Sequence, residues 1–161
     1  MRVEVISLGL TEAGQLGWSL TQQLAAPGED PDHVARRLAG PVVLVHSTSW
    51  RWDPPGVVAL TYAAVGEEAQ DEVNVLVDPV IVTSGDPMRP RPDGLHDHHI
   101  VAHAVWHLVA IATRDPVVGT VAADPRYQDL FAAMAHAAGV MPTATFEQAH
   151  PSSATAGSQP A

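Results

Sequence analysis

Five of the nine histidines lie in the stretch HDHHIVAHAVWH, residues 96–107. Histidine titrates near neutral pH, and its neutral ring is also a common metal ligand. If the stretch is helical, each residue advances by about 100° around the axis, and His98 points away from the other four. Those four fall within an arc of about 80°: His96, His99, His103 and His107. The spacing therefore predicts a helix with one stripe of imidazole rings.

Three members of this stripe are candidate metal ligands: His99, His103 and His107. Each consecutive pair is four residues apart, so its ring nitrogens can converge on one ion, zinc being the example. A catalytic zinc typically has three protein ligands, and one straight helix supplies two of them more readily than three. A further ligand is therefore expected from outside the helix or from its start. The candidates for this ligand are His46, Asp93 and Asp97.

The stripe is also compatible with acid–base chemistry in a cleft that binds a small molecule. Ile100 follows His99 and Ala104 follows His103, so the glutamate of the HExxH metalloprotease motif is missing. In the enzymatic interpretation, His103 and His107 are the catalytic candidates, acting as general base or as ligand. In a third interpretation, the histidines are exposed or hydrogen-bonded and form no site.

The candidate ligand-binding residues lie outside this helix. His46, Thr48 and Trp50 alternate along one predicted strand, so they would share a face of the sheet. Arg89 and Arg91 lie in a proline-rich loop that leads to the histidine helix. A guanidinium group on such a loop could hold a carboxylate or a phosphate above the cleft.

The tryptophans of the same strand support an alternative function. Trp50 and Trp52 lie two residues apart, and tryptophan and arginine are enriched at interface hot spots. The chain would then be a non-catalytic interaction or dimerisation module that binds another protein or a second copy of itself. Oligomeric state and partner are left open.

Composition excludes several classes of chemistry. The formal net charge of −10 repels phosphate backbones, so no nucleic-acid partner is expected. The absence of cysteine excludes disulfides, thiol nucleophiles and cysteine-ligated zinc. All the basic residues are arginines, so lysine Schiff-base chemistry is excluded too. The acidic run over residues 67–72 lacks the spacing of a calcium loop and is interpreted as solvated charge.

Length and hydropathy predict one globular domain over residues 1–140, followed by a poorly ordered tail over 141–161. The apolar stretch around the histidine helix is shorter than the roughly 20 residues of a membrane span, so no membrane partner is expected. The first residues lack the features of a secretory signal, which favours a cytoplasmic location.

The periodicities predict an α+β fold in which an antiparallel sheet of three to four strands is packed on one face by helices. The predicted strands are 2–10, a hairpin formed by 41–52 and 57–65, and 73–83. Predicted helices cover 11–24, where leucines recur every four residues, and 32–39 after a capping Asp-Pro pair. Two more helices follow, a largely apolar one at about 96–113 that carries the histidines and another at about 125–139.

Overall fold

The computed structural model describes residues 1–53, 55–66, 74–84, 91–92, 94–140 and 143–145. Three features singled out in the sequence fall wholly or mainly outside this part of the chain. They are the loop residues Arg89 and Asp93, the acidic run over 67–72, and the tail apart from 143–145.

Five strands form one mixed sheet in the described part of the chain. They are β1 (Arg2–Leu10), β2 (Leu16–Leu24), β3 (Leu44–Asp53), β4 (Val57–Val65) and β5 (Asn74–Val75), in the spatial order β3-β4-β1-β2-β5. β1 lies parallel to β4, and the other neighbouring strands are antiparallel. The α+β class is confirmed, but the sheet has one strand more than predicted and a parallel pair at its centre.

Helices cover both faces of the sheet rather than one. α1 (Pro31–Ala39) packs against one face, on a core that includes Val3, Val5 and Tyr62. The opposite face carries Ile6 and Leu8 and is covered by α2 (Asp97–Ile111), α3 (Pro116–Ala123) and α4 (Gln128–Val140). Alternate residues of β1 thus point into two different cores, as the period of a strand requires.

The ends of two helices follow from their capping residues. Asp30 accepts a hydrogen bond from the Asp32 amide at the start of α1, and Gly40 ends this helix with a φ of 69°. Asp115 caps α3 by accepting from the amides of Val117 and Val118, at 2.9 and 3.0 Å. Such side chains satisfy amides that have no partner within the helix.

The predicted helix over 11–24 is wrong, because its second half forms β2. Leucines four residues apart lie on one face of a helix. They also lie on one face of a strand, because every second residue of a strand points to the same side. Trp18 resolves the ambiguity, since it is buried together with Leu16 in the core beneath α2. Gly14, with a φ of 73°, lies in the turn that returns β2 antiparallel to β1.

The predicted strand over 73–83 is divided in two. Its beginning is β5, and its end is β6 (Ile81–Thr83), which pairs in parallel with β7 (Thr143–Thr145) in a separate two-stranded sheet. Pro79 lies between them, and proline cannot donate a hydrogen bond to a strand ladder. Within the described residues, no helix combines the length and the apolar character needed to cross a membrane.

β3 and β4 form the hairpin that the sequence predicts, and His46 lies opposite Ala63. The register shifts between Ser47 and Ser49, where a bulge adds one residue to β3. In a bulge, two residues of one strand lie opposite a single residue of its neighbour. The alternation of side chains between the two faces of the sheet therefore changes phase at this point.

The bulge reverses the facing predicted for the second half of β3. Trp50 lies opposite Leu60, and Trp52 lies opposite Val58. Leu60 packs with the core beneath α1, so both tryptophans are on that side of the sheet. The prediction that Trp50 shares a face with His46 is therefore wrong.

Candidate functional site

Three imidazole rings from two elements come together where α2 crosses β3. The ring centroid of His46 lies 5.7 Å from that of His107, which in turn lies 6.4 Å from that of His103. His103 and His107 are four residues apart on α2 and thus on the same side of the helix. We refer to His46, His103 and His107 as the histidine cluster.

Both ring nitrogens of His46 face oxygen acceptors. Nδ1 lies 2.7 Å from the carbonyl oxygen of Ser47, and Nε2 lies 3.6 Å from a carboxylate oxygen of Asp115. The Val118 amide, followed by the Val117 amide and the His46 ring, lowers the pKa of Asp115 below its ordinary value. The same carboxylate thus caps α3 and faces the histidine cluster with its negative charge.

The two helix histidines are both shifted towards their neutral forms. Burial lowers the pKa of His103, and a hydrogen bond with the backbone of Thr48 partly offsets this effect. Burial also lowers the pKa of His107, and the charges of His46 and His103 lower it further. Around neutral pH both rings therefore keep a nitrogen lone pair, which can accept a proton or a hydrogen bond.

The remaining histidines of the stripe form a second group at the start of α2. The ring of His99 lies 4.0 Å from that of His98 and 5.6 Å from that of His96, whose backbone amide donates to His99 Nδ1. His98 thus packs against His99, although the helical wheel points it away. Among the described residues, no three histidine, aspartate or glutamate side chains are arranged to hold a metal ion.

The other residues predicted to bind a ligand have different surroundings. Thr48 is buried in the bulge, and its hydroxyl donates to the backbone oxygen of Thr61 at 3.1 Å. Trp50 lies on the far side of the sheet, as described above. Arg91 contacts the carboxylate of Asp53. His46 is therefore the member of this predicted set whose side chain lies beside the helix histidines, whereas Thr48 affects His103 through its backbone.

Stability is expected to fall as the pH drops below about 6.5, the ordinary pKa of histidine. The pKa values of His99, His103 and His107 are all lowered in the folded chain. Between their ordinary and lowered values, the unfolded chain binds more protons, so acid favours unfolding. In thermal melts, the contribution of these three histidines to stability should be constant above about pH 6.5 and should decrease below it. His103→Gln should make this loss shallower, and an unchanged pH profile in this variant would contradict the assignment.

A buried group of charges was not anticipated from the sequence. Glu4, Asp53 and Thr61 are almost fully buried on the α2 side of the sheet. They bind three arginines: Arg2, Arg51 and Arg91. We call these six residues the arginine–carboxylate network.

The contacts within this network link three parts of the chain. Nη2 of Arg51 lies 2.5 Å from Oε1 of Glu4, and Nε of Arg2 lies 2.8 Å from the same oxygen. Asp53 receives Nε of Arg51 at 3.2 Å and also contacts Arg2 and Arg91. The pairs Arg2/Glu4 and Arg51/Asp53, each two residues apart on one strand face, are the sequence signal that could have indicated the network.

No protein-family model, curated protein or solved structure matches the chain in the comparisons with known proteins. Three local features of the molecule have the side chains needed for chemistry or binding. These are the histidine cluster between β3 and α2, the arginine–carboxylate network, and the tryptophan face of β3.

Proposed function

We propose that the histidine cluster binds a small molecule that carries an exchangeable proton, and that His107 accepts this proton. The observation that carries the proposal is the convergence of three rings from β3 and α2, with successive centroids 5.7 and 6.4 Å apart. His107 is the middle ring of the three, and its pKa is lowered by both neighbours as well as by burial. This lowering keeps the ring neutral around neutral pH, so it retains a nitrogen lone pair that can accept the proton.

The other members of the cluster have supporting roles in this proposal. Burial lowers the pKa of His103, so this ring is neutral around neutral pH and can also form a hydrogen bond with the bound molecule. When His107 takes up a proton, the carboxylate of Asp115, 3.6 Å from Nε2 of His46, balances part of the added positive charge. The neighbouring imidazoles oppose the same charge, so the proton is also readily released.

The test is a small-molecule screen by NMR that follows the imidazole resonances of uniformly ¹⁵N-labelled protein. A bound compound should shift the ring signals of His46, His103 and His107 together, and His107→Gln should abolish its binding. The matched control is His136→Gln, which replaces an exposed histidine of α4. Compounds that bind without shifting these rings, or that bind the His107→Gln variant equally well, would refute the proposal. A zinc chloride titration of the same sample tests the metal-binding interpretation separately.

The tryptophan face supports a second candidate function, self-association. Trp50 and Trp52 are 64% and 52% exposed, although tryptophan is among the most apolar side chains. Both belong to β3, which is the last strand at one side of the five-stranded sheet in the described residues. Exposed aromatic side chains on an outer strand are a suitable surface for a second copy of the chain.

Sedimentation velocity over a range of concentrations tests this second candidate. If the face self-associates, the double variant Trp50→Ala/Trp52→Ala should raise the dimer dissociation constant by at least about tenfold. Trp106→Ala is the matched control, because Trp106 is also exposed but lies on α2. A concentration-independent monomer, or equal effects of the two variants, would exclude this role for the face.

A further inference from the structure

Three of the arginines of this acidic chain meet in the arginine–carboxylate network. Three guanidinium groups face two carboxylates there, which leaves one positive charge unbalanced among the described residues. We propose that this network is a second binding site, separate from the histidine cluster. Its ligand is a small anion with a phosphate or carboxylate group, held by Arg2 and Arg91 beside Asp53.

The hydrogen-bond donors of the network support this assignment. Arg51 uses all three guanidinium nitrogens, on Asp53, Thr61 and Glu4. Arg2 uses Nε and Nη2, and Arg91 uses Nη1, on the two carboxylates. Among the contacts of the described residues, Nη1 of Arg2 and Nε and Nη2 of Arg91 are thus still available to a ligand. Guanidinium groups bind phosphate and carboxylate oxygens through short, charge-assisted hydrogen bonds.

The burial of the three arginines indicates how an anion could enter. The side chain of Arg51 is 11% exposed, whereas those of Arg2 and Arg91 are 26% and 36% exposed. Arg51 therefore lies at the base of the network, neutralised by the buried carboxylates, while the other two form its rim. An anion that contacts the rim balances the excess charge without displacing Arg51 from Glu4.

Asp53 already contacts Arg2 and Arg91, so its carboxylate competes with a bound anion for the guanidinium groups of these two arginines. Its two carboxylate oxygens contact different arginines of the rim, Oδ2 facing Arg2 and Oδ1 facing Arg91. The two guanidinium groups are thereby brought to opposite sides of one carboxylate. One carboxylate does not balance two guanidinium groups, and an anion bound at the rim compensates for the remaining positive charge.

Titration with inorganic phosphate at constant ionic strength, followed by backbone amide shifts in NMR spectra, tests the proposal. Arg2→Gln and Arg91→Gln should each weaken phosphate binding by about tenfold, the loss expected for one charge-assisted interaction. Arg37→Gln removes the same charge from an exposed pair with Glu29 on α1, and binding should remain unchanged. A parallel titration with acetate shows whether the site prefers phosphate or carboxylate.

A fourth variant, Asp53→Asn, is expected to change the affinity for phosphate in the opposite direction. Asp53→Asn removes the internal carboxylate that competes for the rim arginines, so phosphate should bind this variant more tightly than the native chain. Should Asp53→Asn not fold, the comparison of the Arg2 and Arg91 variants with Arg37→Gln decides the matter. Equal phosphate shifts in all the arginine variants, or shifts reproduced by sodium chloride at the same ionic strength, would overturn the proposal.

Discussion

Glu4→Gln is expected to lower the free energy of unfolding by about 3–5 kcal/mol, as does the removal of one partner from other buried ion pairs. Glu4 is 1% exposed, and its carboxylate binds Arg51 and Arg2 at 2.5 and 2.8 Å and accepts from the Thr61 hydroxyl at 3.3 Å. Glutamine has nearly the same shape but no negative charge. In the variant, the positive charge of the buried Arg51 guanidinium is therefore no longer balanced by the negative charge of Glu4, which destabilises the folded chain.

Urea denaturation of the native chain and of Glu4→Gln measures this loss, provided that both show the same dependence on denaturant. Glu29→Gln is the matched control, because Glu29 pairs at 2.9 Å with Arg37, whose side chain is 52% exposed. Exposed ion pairs contribute little, so this variant should unfold at nearly the native midpoint. If the two glutamine variants were equally stable, the charges of the network would have to be well solvated, and the burial argument would fail.

The network also shows why sequence alone could not reveal the second site. Glu4 and Arg51 are 47 positions apart in the chain, and they meet because β1 lies parallel to β4 while β3 pairs with β4. Parallel neighbours require a crossover connection, here through β2, α1 and β3, which no local pattern specifies. The two local pairs, Arg2/Glu4 and Arg51/Asp53, are visible in the sequence, but their meeting is a property of the topology.

The bulge in β3 imposes a second limit on prediction. His46 and Arg51 are five residues apart, so a regular strand would place them on opposite faces of the sheet. With the extra residue between Ser47 and Ser49, both reach the α2 side, one at the histidine cluster and the other in the arginine–carboxylate network. The sequence HSTSW has neither glycine nor proline to mark a bulge, whereas hairpin turns are marked by such residues.

The parts of the fold that were predicted correctly are those with strong local signals. Asp30, Pro31 and Gly40 delimit α1 as expected from capping preferences. The apolar run around the histidines is α2. The four-residue spacing of His103 and His107 places them on one side of this helix, where the ring of His107 lies beside that of His46. The start of α2 departs from the wheel, because His98 and His99 pack against each other in its first turn.

The apolar character of α2 on almost every side leaves open which side faces the core, and two substitutions on this helix address it. Leu108 is fully buried, so Leu108→Ala should lower the free energy of unfolding by about 3 kcal/mol, through lost burial and the cavity that remains. Trp106→Ala removes a larger side chain but should cost less, because Trp106 is 45% exposed and gains less from folding.

Urea denaturation of the two variants ranks burial against side-chain size. A loss in Trp106→Ala as large as that in Leu108→Ala would mean that the outer side of α2 is covered in solution, which would make it an interface. If Leu108→Ala loses more stability than Trp106→Ala, as expected, that side of the helix is exposed to solvent. In that case the apolar sequence of α2 is explained by its position against the sheet and α4, and His103 and His107 are its polar side towards β3.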